Sequence, residues 1–201
     1  MNLPFATLPF SGAAEQNKDV ILQAIRPWLR GRVLEIGSGT GQHAVYFASL
    51  LPELIWQTSD LEPNLNGIRA RVDDSGLDNL PSPVFLDAMG AWPEREFDTI
   101  YTANSFHIMD SAAVAECISH CGKCLSAGGH LVVYGPFNYA GDFTSASNAR
   151  FDAMLKSNDP HSGIKDFEWL DSLTQSAGME LTADVEMPVN NRSLIWKKRT
   201  L

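Results

Sequence analysis

Apolar positions along the chain follow two rhythms. Val33-Leu34-Glu35-Ile36, Leu54-Ile55-Trp56, Pro83-Val84-Phe85-Leu86, 97–103 and 130–134 are short runs bounded by glycine, proline or polar clusters, and they read as buried strands. Between them apolar residues recur at helical spacing. Val20, Ile21, Ala24 and Ile25 share one face before Pro27, with Asn17 as a candidate cap. Ala44, Val45, Phe47 and Ala48 follow, with Leu51 one turn on. Further helices are predicted over 65–74, stopped by Gly76; from a Ser111 cap through Leu125, stopped by Gly128-Gly129; over 146–156; and over 166–177, closed by Gly178. The chain finishes in strands near 179–187 and 192–198. Strands alternating with helices and ending in a hairpin predict an α/β fold. Its doubly wound, seven-stranded sheet is mostly parallel, with one antiparallel strand in the C-terminal hairpin. No linker or repeat splits 1–201, so it reads as one domain, with 1–14 an irregular arm that Phe5, Leu8 and Phe10 could anchor.

The first strand runs into Gly37, Ser38, Gly39, Thr40 and Gly41, and a helix follows at once. Strand, glycine turn, helix is a nucleotide-binding layout, because glycine admits close backbone approach and a helix N-terminus offers free N–H groups. A dinucleotide fingerprint would put its third glycine at position 42, where Gln42 stands, so a nicotinamide oxidoreductase is disfavoured. Glu35, two residues before the first glycine, disfavours a nearby pyrophosphate and suits a cationic ligand. E-x-G-x-G-x-G in this setting resembles motif I of the class I S-adenosylmethionine (SAM)-dependent methyltransferases. The resemblance implies SAM as cofactor and a Rossmann-like fold. Asp60, about twenty residues past the turn, falls where βαβ folds place an acid on ribose hydroxyls. Its plainer role is a helix or turn cap. By the same resemblance Leu61 lies beside the sugar, and Asp87 with Ala88 reaches the adenine. Asn104 and His107, after the fourth strand, line the crevice, with Asn104 expected to bind the cofactor.

Composition narrows the class. A formal net charge of −9 argues against nucleic acid or an anionic membrane as partner. No apolar run approaches a membrane span, and the first residues do not read as a signal peptide. Three cysteines, an odd count, suit free thiols in a reducing compartment, so a cytoplasmic protein is expected. Cys117, Cys121 and Cys124 share one helical face, which makes an awkward metal cage; buried thiols and no metal are the reading.

Six segments together resemble one methyltransferase-like family that includes the methyltransferase-like 26 proteins. They are 13–18, 33–48, 134–137, 147–152, 163–169 and 187–191, so the likeness spans nearly the whole chain. Gly37 stands where alanine is common in that family. The resemblance implies a SAM-dependent methyltransferase and assigns no substrate. Small size favours a small-molecule acceptor, methylated at oxygen or nitrogen; the alternative is a catalytically silent SAM-binding or scaffolding protein. His107 suits a general base, or equally a polar neighbour of the cofactor. Tyr134 and Asn138 could touch the acceptor, or Tyr134 could be a buried ring with a satisfied hydroxyl. Glu15, Asn17 and Lys18 belong either to a lid or to a helix cap. Neither the acceptor nor the oligomeric state is specified.

Overall fold

Successive residues of the central strands face opposite layers, and both layers are apolar. The computed structural model describes residues 8–200. Its elements run α1 (Gly12–Ile25), β1 (Arg32–Ile36), α2 (Gln42–Leu50), β2 (Ile55–Asp60), α3 (Glu62–Ser75), β3 (Val84–Phe85), β4 (Phe97–Ala103), α4 (Ser111–Cys124) and β5 (Leu125–Gly135). Then come β6 (Phe137–Tyr139), β7 (Asp142–Phe143), α5 (Ala146–Asn158), β8 (Lys165–Asp166), α6 (Phe167–Ser176), β9 (Met179–Met187) and β10 (Asn191–Lys198). Leu34, Ile36, Ile100, Leu131, Val133, Leu194 and Trp196 pack on one face with Cys117, Cys121 and Leu170 of α4 and α6. Val33, Trp56, Tyr101, Val132, Tyr134 and Ile195 pack on the other with Ile21, Phe47 and Ile68 of α1, α2 and α3. That two-residue period, read out on two helical layers, is what makes the sheet doubly wound.

Seven strands pair in the order β3-β2-β1-β4-β5-β10-β9. All run parallel except β10, which is antiparallel to both β5 and β9. This is the α/β fold read from the sequence, with its hairpin. A second sheet, β7-β6-β8, sits beyond the end of β5. Strands of two or three residues carry too little alternation to be legible in sequence.

Several local expectations are corrected. Residues 1–7 and 201, with Phe5 among them, lie outside the described residues. Helix α1 starts at Gly12, inside the supposed irregular arm, and its cap is Ser11, whose hydroxyl accepts from Ala14 N–H; Asn17 lies within the helix. Phe10 is 67% exposed and anchors nothing. Asp110 rather than Ser111 caps α4, accepting from Ala113 N–H at 2.7 Å. Gly128 and Gly129 do not stop that helix; they lie within β5, where its register against β4 slips. A Cβ at Gly129 would come within 3.0 Å of the Ser126 and Asp98 carbonyl oxygens, so the bulge requires glycine there.

Leu34 is fully buried at the middle of the sheet. Leu34→Ala is expected to cost about 2–5 kcal/mol, whereas Phe10→Ser should stay within about 0.5 kcal/mol. Urea denaturation of both variants checks the contrast.

Candidate active site

Strand order reverses between β1 and β4, and the crevice outside their carboxyl ends is where such sheets bind ligands. A cleft of about 760 Å³ opens there. Its floor is the loop after β1, with Gly37, Gly39 and Gly41 all at positive φ (69°, 58° and 73°). At Gly39 an added Cβ would meet no protein atom within 4 Å, so the backbone presents itself bare to the cleft. At Gly37 it would stand 2.6 Å from Ser105 Oγ, so an alanine there needs that hydroxyl moved; glycine does more than ease backbone approach. Opposite, Asn104 leaves β4 in the left-handed region (φ 57°), its N–H donating to Tyr134 O at 2.8 Å. A non-glycine residue held this way at a strand end is strained, and such strain concentrates at functional sites.

Among the described residues Glu35 is the only Asp, Glu, Lys or Arg whose side chain lines the cleft. It is 2% exposed, and Oε2 accepts from Ser38 Oγ (2.9 Å) and Trp56 Nε1 (3.1 Å). Burial pushes its pKa up to about 7, against the two hydrogen bonds that lower it. His107 and His43 are held at about 4, chiefly by burial, so both rings are neutral near pH 7. His43 Nε2 lies 2.8 Å from Asn17 Oδ1 and Nδ1 lies 3.3 Å from the Tyr101 hydroxyl. The Tyr134 hydroxyl accepts from Asn191 Nδ2 at 2.9 Å, and burial raises its pKa.

Of the residues singled out in the sequence, Glu35, Gly37, Ser38, Gly39, Asn104, His107 and Tyr134 line this one cleft. Tyr134 is both things weighed for it: a buried ring and a cleft hydroxyl. Gly41 instead starts α2 and packs toward Arg71 and Ile68 of α3. Asp60 is buried behind the loop, its Oδ2 accepting from Gly39 N–H (2.7 Å) and its Oδ1 from Leu61 N–H and Asn64 Nδ2. It therefore ties loop and turn together, as the capping role implied, while standing beside the glycines. Leu61 is half exposed. Asp87 and Ala88 follow β3, whose end pairs with that of β2. These four extend the same edge outside the cleft proper. Asn138 lies in the small sheet and does not line the cleft. His161 is exposed in its loop.

Sequence reasoning missed most of the opposite wall. Ala13 and Ala14 of α1 line the cleft, as do His43, Asn148, Phe151, Val189 and Asn191; Asn17, named as a lid or cap candidate, lines it too. Glu15 and Lys18 pair with each other, and Gln42 bridges α1 to α2, accepting from Ser11 N–H and donating to Glu15. The available signal was the resemblance. Five of the six segments that carry it supply residues to the cleft. The sixth, which opens at Gly163, holds the cleft from behind. Gly163 N–H donates to His107 O (2.9 Å), Ser162 Oγ to Ile108 O (2.7 Å) and Lys165 Nζ to Met109 O (2.8 Å). Three consecutive carbonyls are thus clamped, and the turn that carries the His107 ring is fixed. The three cysteines are buried in the core, where burial raises the Cys121 and Cys124 pKa values. Among the described residues no group of three or more His, Cys, Asp or Glu is placed to hold a metal.

Two titrations follow from this geometry. The folded chain holds the Glu35 proton to about pH 7, and the unfolded chain loses it near 4.5, so this group's contribution to stability falls as pH rises through that window. Glu35→Gln, which keeps an acceptor for Ser38 and Trp56, is expected to be more stable than the parent at pH 8, with the difference shrinking toward pH 5. Thermal melts at the two pH values read it. The Lys165 charge adds to burial in depressing His107. Lys165→Met should therefore raise the His107 midpoint from about 4 toward the usual range, read from ring-proton NMR titration.

Similar architecture occurs in solved methyltransferase structures. An O-methyltransferase family protein from Burkholderia thailandensis superposes with a TM-score of 0.80 at 18% identity, covering 94% of this chain and 57% of that one. The mitomycin 7-O-methyltransferase MmcR gives 0.82 at 14% identity, covering 92% and 54%. Human N-acetylserotonin methyltransferase, solved in complex with SAM, gives 0.75 at 15% identity, covering 94% and 53%. The chain spans little more than half the length of these structures, and at such identities the likeness is one of fold. A family model matches residues 8–198, and the chain belongs to that family, DUF938, described as a protein of unknown function.

Proposed function

We propose that this protein is a SAM-dependent methyltransferase acting on oxygen or nitrogen of a small molecule. The observation that carries the reading is the buried Glu35 carboxyl beside a bare, left-handed glycine loop. A carboxyl held near neutrality in a dry wall is stabilised by a cation, and SAM brings two positive groups and no phosphate. The open space at Gly39 and the acids near the ends of β2 and β3 fit the same molecule. Support comes also from the fold shared with O-methyltransferases.

In this reading Glu35 takes the cationic amino-acid end, with Gly37, Ser38 and Gly39 giving backbone approach and Gly41 setting the turn. Asp60 and Leu61 meet the ribose, while Asp87 and Ala88 meet the base. When bound, SAM supplies an electrophilic methyl carbon and a sulfide leaving group. The protein's task is positioning, worth several kcal/mol on its own. Asn104 and Tyr134 orient the acceptor. The neutral ring of His107 takes the proton that the acceptor sheds as its lone pair bonds the methyl carbon. With a pKa of about 4 this ring is a weak base, which matches acceptors that lose a proton readily once methylated.

Calorimetry with SAM tests the binding step. Micromolar-range affinity is expected, with no binding of NAD. Gly39→Val and Asp60→Ala should each weaken SAM by about tenfold or more, and affinity should fall below pH 7 as Glu35 protonates. His107→Ala should keep SAM affinity and slow transfer of labelled methyl groups into a metabolite extract. Undiminished binding by Gly39→Val would remove the site. Binding without any transfer would leave a silent SAM-binding protein.

A further inference from the structure

Resting on that reading, the charge pattern of the cleft says what kind of acceptor it takes. SAM carries a sulfonium, an ammonium and a carboxylate, a net single positive charge. Among the described residues the cleft lining carries one carboxyl, Glu35, and no lysine, arginine or aspartate. Asp60, whose oxygens already accept from Gly39, Leu61 and Asn64, and Asp87 lie outside that lining, at the sugar and base end in this reading, so Glu35 answers the charge of SAM and no other charged side chain among the described residues lines the cleft for a charged acceptor. Four cations on the flanking elements are already engaged. Lys156 pairs with Asp152 (2.6 Å), Lys18 with Glu15, and Arg192, beyond the Val189 lip, with Asp184 (2.7 Å) and Glu186 (2.9 Å). Lys165 donates to the Met109 and Gly163 carbonyls.

The wall facing the glycine loop is polar but uncharged. Asn104 Oδ1 and His107 Nδ1 both lie within 4 Å of the point where a Cβ on Gly135 would stand, so the two side chains converge on one spot above the end of β5. Tyr134 receives the Asn191 amide on its oxygen, which leaves its own O–H hydrogen to donate. Asn148, 5% exposed, spends its amide hydrogens on Thr144 Oγ1 (2.9 Å) and Asn190 O (3.1 Å), leaving its carbonyl oxygen to accept. The Phe151 ring, edge-on to His107 at 5.1 Å, and Val189 add apolar surface. Val189 is held at φ 58° and is 81% exposed, an unfavourable backbone for a β-branched residue.

We propose that the acceptor is an uncharged molecule, bound by side-chain amides and a phenol through hydrogen bonds against Phe151 and Val189, and that anionic and cationic acceptors are rejected. Rejection needs no clash: a charge moved from water into this wall finds no counter-ion, and that desolvation is not recovered.

The test uses the protein saturated with sinefungin, an amine analogue with the net charge of SAM, and three probes of one size: 4-hydroxybenzamide, 4-hydroxybenzoate and tyramine. Failure of sinefungin to bind would strike at the methyltransferase reading itself, and is seen before any probe is added. With sinefungin bound, NMR titration should show the amide binding at least about tenfold more tightly than either ion. Val189→Lys places a cation at an exposed lip position and should raise benzoate affinity severalfold relative to that of the amide. Benzoate or tyramine binding the parent as tightly as the amide overturns the proposal. So does an amide that does not bind at millimolar concentration, or a Val189→Lys variant that leaves benzoate unchanged relative to the amide.

Discussion

A carboxyl taken out of water dominates the electrostatics of this molecule. Glu35 lies within the buried run of β1, one residue before its end, on the face shared with Val33 and packed by α1 and α2. Two hydrogen bonds from Ser38 and Trp56 soften the cost of burial without cancelling it, so the group stays poised near neutrality. The loop that follows is arranged around it: Ser38 reaches back to the carboxyl, Ser59 N–H donates to Ser38 Oγ, and Gly39 N–H is held by Asp60. The ends of β1 and β2 are thereby locked into one polar unit. Such locking positions a ligand with little reorganisation, which is how a fold lowers a barrier when the reactivity belongs to the cofactor.

The opposite wall has a different construction. It comes from elements far apart in the chain, α1, the turn after β4, α5 and the β9–β10 connection, and these are joined by side-chain bonds rather than by sheet pairing. Gln42 and His43 fasten α1, while Asn148 and Asn190 fasten α5 to the hairpin. Lys165 and its neighbours clamp the turn of His107. A floor fixed by backbone ladders and a wall fixed by side-chain hydrogen bonds divide the labour: the first comes with the sheet, the second depends on individual side chains.

That division explains what could be read from the sequence. β1, β4 and the C-terminal hairpin were legible because their apolar periods are strong, and the glycine loop because its spacing is unusual. The caps were misplaced by a residue or more, since Ser11 competes with Asn17 and Asp110 with Ser111, and the choice depends on the tertiary path of the chain. The short strands β6, β7 and β8 carried no periodic signal. His43, Asn148 and Asn191 were invisible as site residues because a lone histidine or asparagine has no spacing to betray it; only the fold brings them to one place. The likeness to a family marked their segments without saying why.

One topological detail has a consequence for how such a wall can change. β10 is the single reversed strand, so the connection from β9 turns over at the ligand edge and hands Val189 and Asn191 to the cleft. Had the last strand run with its neighbours, a crossover would have carried that connection to the far edge, away from any bound molecule. β10 is thus an interior plank of the sheet, flanked on both sides, and its entry point doubles as a lip of the cleft. That lip can be rebuilt by exchanging two or three turn residues while the plank stays put; deleting β10 would pull out plank and lip together.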